Sequence, residues 1–407
     1  MMTVGLGVSI GTVNTVCAID TAESGKNARG RGRSVAGESG GRAATGRRKR
    51  ASGPKSALSQ QRTAPGTWRT TLTFDSSGTA RVGRIPRHGR AVTDFADLTE
   101  RGRTARVRHR SLSAADLVAT VARTVVADVS AHVVATAEGR SPETAVAVTH
   151  PVCYGEERVL ELREALDSIG LSHAALVAEP VAAAAWLSVA HGPLLPGLAL
   201  VYDLGGSGLT VTLVRIGPGT PDRPVFGEPL RSTAFGGRAF GAKMAAQDNW
   251  RAGASSAADS DAAITALRTA HIRESLDVVY ECLGRARVTM ADVDCVLVVG
   301  GAARPPEVAA VLAAALARPV IVAADPERTI AEGAAVFARR AAESVRESEV
   351  AEAPEPPEPP RVLRRRLTRV AVTVAVAAGG ALFAATAVVG DEAGAQSMGA
   401  GLVHVQH

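Results

Sequence analysis

The sequence predicts an α/β protein whose sheets are covered by helices, and three observations carry that prediction. Strand-like and helix-like segments alternate over residues 144–342. Three glycine-rich turns interrupt apolar strands, at residues 7–14, 203–208 and 298–304. The 407 residues are 46% apolar and only 3% aromatic, enough for a sizeable core in two lobes, which excludes a disordered chain.

The elements follow in order. Residues 3–12 read as a strand entering a glycine turn; they lack the basic start and long apolar run of a secretory signal, so the main body is expected to stay where it was made. Residues 26–62 carry eleven Lys/Arg against one acid, Glu38, and have no apolar period, which marks a loop or disordered insertion. Residues 70–74 form a short strand and 75–78 a turn. Ser113 caps an amphipathic helix to about residue 134, with Asp116 in its first turn. A strand at 144–149, a helix at 156–169 and a strand at 174–177 come next, then a hairpin over 198–216. A strand at 292–301 precedes a helix at 306–317, and the Asp-Pro-Glu of 325–327 opens a helix running to 342.

Beyond it the chemistry changes. Residues 343–360 are acidic and proline-rich, a semi-extended linker. Five arginines (Arg361, Arg364, Arg365, Arg366 and Arg369) then precede 20 uncharged residues, 370–389. A helix of that length covers about 30 Å, the thickness of a bilayer core. The arginines flank its N-terminal side and the 18-residue tail, 390–407, has Asp391 and Glu392 but no Lys or Arg, so residues 1–360 are expected in the cytoplasm and the tail outside.

Charge and cysteines say less. The formal charge of +6 comes mostly from arginine, the only lysines being Lys26, Lys49, Lys55 and Lys243. The surplus sits in two short segments rather than on a folded face, which leaves nucleic acid the least favoured partner. Cys17, Cys153, Cys282 and Cys295 form no CxxC pair and read as structural thiols. His150 and the other histidines read as structural, and Trp68, Trp186 and Trp250 are too dispersed for a recognition platform.

The chemistry lies in the glycine turns. GVSIGTVN over residues 7–14 and DLGGSG over 203–208 place small residues between strands, so backbone N–H groups can converge on an anion. VVGGAAR over 298–304 does so between a strand and a helix, whose N-terminus adds its dipole. With these turns on the page, the chain resembles the nucleotide-binding domain of the heat shock protein 70 family, within the actin-like ATPase superfamily. GVSIGTVNT at 7–15 is similar to the family's GIDLGTTNS, YDLGGSGLT at 202–210 to YDLGGGTFD, and AVTHP at 147–151 to its VTVP strand. AEPVAAA at 178–184 is similar to NEPTAAA, VGGAARPP at 299–306 to VGGSTRIP, and DPERTIAEGAA at 325–335 to the closing helix.

The resemblance covers residues 3 to about 340 apart from the basic insertion, and implies a bilobal actin-like, ribonuclease H-like fold. The first lobe then spans 1–190 and the second 191–342. It also implies ATP or ADP with Mg²⁺, held by Gly11, Thr12, Val13, Asn14, Gly205, Gly206, Ser207, Gly208, Gly300, Gly301, Ala302 and Arg304. Asp203 and Glu179 stand at two of its catalytic carboxylate positions, Asp203 on the Mg²⁺ side through water. Departures weaken the implied activity: Ser9 stands in place of an aspartate, Val13 and Gly208 in place of threonines, and Thr210 in place of an aspartate.

The family's catalytic lysine has no counterpart, since no Lys lies between residues 56 and 151, and Arg84 or Arg90 is a poor copy of its point charge. Only about thirty residues separate FGGRAF at 235–240 from IRESLD at 272–277, which shortens the second lobe's outer subdomain and removes the adenine clamp. The sequence therefore points to a membrane-anchored pseudo-ATPase, a nucleotide sensor or scaffold whose binding is weak or lost, with a protein partner at the membrane and anionic lipid met by Arg361 to Arg369. An active ATP-hydrolysing chaperone, and a nucleic-acid or lipid binder using the basic insertion, are the alternatives.

Overall fold

One strand arrangement occurs twice. In this computed structural model the described residues are 3–21, 66–85, 91–100, 104–107, 110–136, 143–246 and 257–352. The basic insertion, Arg90, the arginine cluster, residues 353–360 of the linker and the apolar run 370–389 lie outside them.

The first half opens with β1 (Thr3–Ile10), β2 (Asn14–Thr21) and β3 (Thr67–Arg69). Two small hairpins follow, β4 (Leu72–Phe74) with β5 (Ala80–Val82) and β6 (Ala105–Val107) with β7 (Arg110–Leu112). Then come α1 (Ala114–Thr136), β8 (Glu143–His150), α2 (Glu156–Ser168), β9 (Ala175–Ala178) and α3 (Glu179–Ala190). The second half runs β10 (Gly197–Leu204), β11 (Leu209–Ile216), β12 (Val225–Ser232), α4 (Gly237–Ala246), α5 (Ala257–Ala286), β13 (Cys295–Val299), α6 (Pro306–Leu316), β14 (Val320–Val322) and α7 (Thr329–Glu352).

The sheets are ordered β3-β2-β1-β8-β9 and β12-β11-β10-β13-β14. In each, a three-stranded antiparallel meander is extended by two parallel strands from its first strand. The parallel strands explain the unbroken apolar runs seen in sequence. Every residue of β1 is buried, as are all five of β13, because helices cover both faces.

Leu6 and Val8 of β1 share one core with Leu117, Val121 and Val125 of α1 and Leu162 and Leu166 of α2. A second core joins Leu200, Val211 and Val296 to Ile272 and Val279 of α5 and Val308 and Leu312 of α6. Between the sheets lie α3 and α7, where Ala182, Leu187, Ile330 and Ala334 pack with Val201, Val214 and Leu297. The approach is close enough to require glycine: a Cβ at Gly333 of α7 would overlap the Ala182 carbonyl of α3. Arg339 of α7 also donates to Asp20 of β2 at 2.7 Å, both side chains nearly buried.

Most elements match the sequence reading, including the Ser113 cap. Ser113 Oγ accepts from the Asp116 N–H at 3.1 Å, and Asp116 Oδ2 accepts from the Ser113 N–H at 2.9 Å. Two expectations are corrected. Asp325, Pro326 and Glu327 form a turn before α7, with Asp325 Oδ1 accepting from the Glu327 N–H at 3.3 Å. The helix also continues to Glu352, ten residues into the expected linker, because residues 343–352 contain no proline and Arg339 pairs with Glu343 one turn on. Among the described residues α1 alone is long and apolar enough to cross a membrane, by length and composition; half of that stretch is buried in the core just described.

Candidate functional site

The three glycine turns meet in one cleft of about 400 Å³, a size suited to a nucleotide-sized ligand. The β1–β2 turn contributes Gly11, Thr12, Val13 and Asn14; the β10–β11 turn contributes Gly205, Gly206, Ser207 and Gly208; and the segment after β13 contributes Gly300, Gly301, Ala302 and Arg304. Glu179 and Asp203 line it too, so the glycine-turn residues and both carboxylates singled out from the sequence lie on this one surface. The location follows from topology: β1 runs parallel to β8 and β10 to β13, and ligand clefts open beyond the carboxyl ends of such strands.

Both hairpin turns are closed by backbone bonds, Gly11 N–H to Asn14 O at 3.0 Å and Gly205 N–H to Gly208 O at 2.9 Å. Thr70 Oγ1 donates to the Gly11 carbonyl at 2.7 Å and shares a hydrogen bond with Thr15 Oγ1 at 2.9 Å, which fixes the first turn to the strap before β4. The two turns touch each other. A Cβ added at Gly206 would overlap the Val13 side chain, and one at Gly208 would come within 2.8 Å of the Ser232 carbonyl. The N-terminus of α4 is tied to the second turn by Gly237 N–H to Gly205 O (3.0 Å) and Arg238 N–H to Gly206 O (2.9 Å). The cradle is thus backbone, narrow and rigid.

Its charged groups are set by burial. Glu179 opens α3 and Asp203 is the penultimate residue of β10, directly opposite Thr210 in the hairpin register. Burial raises both carboxyls above the usual carboxylate range, and the charge on Asp203 raises Glu179 further, while the Arg231 guanidinium opposes both shifts. Ser9 and Thr210 line the same cleft and are themselves buried, so a hydroxyl occupies each position where the resemblance implies a third or fourth carboxylate.

Sequence reasoning missed Asp97, Tyr154, Arg231, Arg238 and Glu327, which also line the cleft. Arg231 Nη2 donates to Asp97 Oδ2 at 2.8 Å and to Ser207 Oγ at 3.2 Å. Arg238 Nη2 donates to Asp94 Oδ1 at 2.6 Å and to the Thr12 carbonyl at 3.4 Å. Asn14 Nδ2 donates to Glu327 Oε1 at 2.7 Å, and Arg304 pairs with both Asp325, at 3.0 and 3.1 Å, and Glu327. Tyr154 Oη accepts from the Leu98 N–H at 2.9 Å and donates to the Ala96 carbonyl at 3.1 Å, which anchors the loop carrying Asp97.

Arg84, offered from sequence as a stand-in for the missing lysine, is exposed and does not line the cleft. Lys243, the sole lysine among the described residues, pairs with Glu274. Burial pushes the thiols of Cys17, Cys282 and Cys295 up to about 12, 11 and 11, as inert structural cysteines require. Burial lowers the His150 imidazole below its ordinary value.

The chain is similar to known proteins over part of its length. The family described as "Hsp70 protein" matches residues 256–351. The chain is 26% identical over 255 residues to a "Chaperone protein HscA homolog" of Burkholderia lata, covering 52% of this chain and 41% of the relative. Similar proteins of the same description occur in Burkholderia multivorans, 26% identical over 260 residues, and in Delftia acidovorans, 26% identical over 259 residues and 53% of this chain. In all three the matched part is 41% of the relative's own length.

Proposed function

We propose that the chain carries a nucleotide-binding domain of the heat shock protein 70 type and that its cleft holds a nucleotide without hydrolysing it, as a pseudo-ATPase serving as sensor or scaffold. One observation carries this reading. The glycine cradle is kept, down to positions that a Cβ would fill, while Ser9, Gly208 and Thr210 stand where water-positioning and metal-binding side chains are implied. Phosphoryl transfer depends almost wholly on positioned charge, and losing a single such group costs orders of magnitude in rate.

The bilobal fold and the shortened outer subdomain belong to the same reading. Among the described residues only α4 stands between β12 and α5. Supporting the membrane anchor are the 20 uncharged residues at 370–389 and the arginines before them; that arrangement puts the cleft on the cytoplasmic side and sets Arg361 to Arg369 against anionic lipid. A partner at the membrane is part of the proposal, the relatives being chaperones by description.

Calorimetric titration of the full chain with ATP and ADP, paired with a phosphate-release assay, tests the reading. Binding of either nucleotide without phosphate release is expected. Sustained turnover would make the protein an active ATPase, and no binding of either nucleotide would leave only a scaffold.

A further inference from the structure

Three arginines line the cleft that also holds Asp203 and Glu179, and Arg231 is the least exposed of them. Arg231 projects from β12 with a side chain 22% exposed. Its Nη2 bridges Asp97 and Ser207, and among the described residues Nε and Nη1 have no protein acceptor. Ser207 belongs to the second glycine turn, and Asp203 and Glu179 line the same cleft and feel the guanidinium charge. A fixed positive charge therefore stands among three carboxyl groups at the edge of a backbone cradle.

The donor set does not suit hydrated Mg²⁺. Such an ion needs an octahedron of oxygens anchored by carboxylates. Ser9 has taken one carboxylate away, and the guanidinium already draws on Asp97 and repels a second cation beside it. A guanidinium, by contrast, can turn two parallel N–H groups to a phosphate.

We propose that Arg231, the least exposed of the three arginines lining this cleft, is the cation that meets the ligand and that the site takes the phosphate tail of a nucleotide as the metal-free anion, an inference that rests on the nucleotide reading above. The Asp97 bond then acts as a holding contact: Arg231 exchanges that carboxylate for phosphate when the ligand enters. The adjoining Ser207 hydroxyl keeps the guanidinium over the cradle.

The test is calorimetry on the full chain with ADP and with inorganic pyrophosphate, each in excess EDTA and in excess Mg²⁺, for the natural protein, Arg231→Gln, Arg231→Lys and Asp97→Asn, with far-UV circular dichroism to confirm folding. In the natural protein the affinities with and without metal should agree within about threefold. Arg231→Gln should lose about tenfold or more in EDTA, as expected for removing a charge-assisted contact. Arg231→Lys should retain part of the binding, and Asp97→Asn, which frees the guanidinium, should bind as well as the natural protein or better. Binding tightened about tenfold by Mg²⁺ would overturn the proposal. So would unchanged binding in Arg231→Gln, or equal losses in Asp97→Asn and Arg231→Gln, which would make the pair a structural tie. Because the basic insertion is present in every variant, it cannot produce these differences. Pyrophosphate binding without ADP binding refutes the nucleotide reading and sustains the metal-free anion site; binding of neither overturns both.

Discussion

Gly206→Ala puts the contact between the two phosphate-loop candidates to a quantitative test. The added Cβ would overlap Val13 Cγ2 and stand 3.3 Å from Val13 Cβ and 3.4 Å from Thr12 Oγ1. Carbon atoms prefer separations of about 3.5–4.0 Å, so the Val13 side chain or the two turns must give by roughly 1 Å. Overpacking on that scale costs about 1–3 kcal/mol, and a cost borne wholly by cleft closure lowers nucleotide affinity by about fivefold to 150-fold. Val13→Ala removes Cγ2 and most of the clash. The double variant should therefore recover at least half of the loss, with a coupling energy of about 1 kcal/mol between the two sites. Urea unfolding gives the stability arm of this cycle and calorimetry with ADP the binding arm. Additive effects of the two substitutions in both assays would refute the contact and the rigid cradle with it.

Other consequences follow from the same geometry. The raised native pKa of Glu179 means that the folded state keeps a proton which the unfolded chain has released; this contribution to stability is complete below 4.5, the ordinary value, and is lost as pH rises through neutrality. Glu179→Gln should accordingly shrink the fall in urea midpoint between about pH 5 and about pH 8, and an unchanged or steeper fall would contradict the assignment. Arg339→Ala strands the nearly buried Asp20 and should cost about 3 kcal/mol in chemical denaturation, whereas a loss below about 1 kcal/mol would show the pair to be solvent-screened. Thr210→Asp sets a second acid directly opposite Asp203, so it should lower stability by about 1 kcal/mol. Combined with Ser9→Asp it should still release no phosphate, for want of a lysine in the cleft; recovered turnover would show that the missing acids were the sole defect.

What the sequence revealed is what short-range chemistry writes down. The glycine turns at 7–14, 203–208 and 298–304 are local, since a hairpin between buried strands requires small residues at consecutive positions, and the strands around them are continuous apolar runs. The α1 cap is equally local, carried by Ser113 and Asp116 three residues apart. The charged part of the cleft was hidden because it is made by distant pairing. Arg231 meets Asp97 across 134 residues, Arg238 meets Asp94 across 144, and Asn14 meets Glu327 across 313. No spacing rule connects such residues. Arg84 was offered from sequence and lies exposed outside the cleft, whereas Arg231, which the sequence did not single out, lines it. The end of α7 was misjudged for a related reason: the acidic composition of 343–352 suits a linker, but Arg346 ties that turn to Thr3 and Glu143 of the first sheet.

Single-turnover analysis measures the central claim most directly. With the full chain in excess over γ-labelled ATP, and with binding established in the same buffer, the account predicts bound ATP recovered intact over hours, with phosphate formed no faster than in protein-free controls. Conversion of the bound ATP to ADP and phosphate within minutes, abolished by Asp203→Asn, would contradict it and restore a working hydrolase.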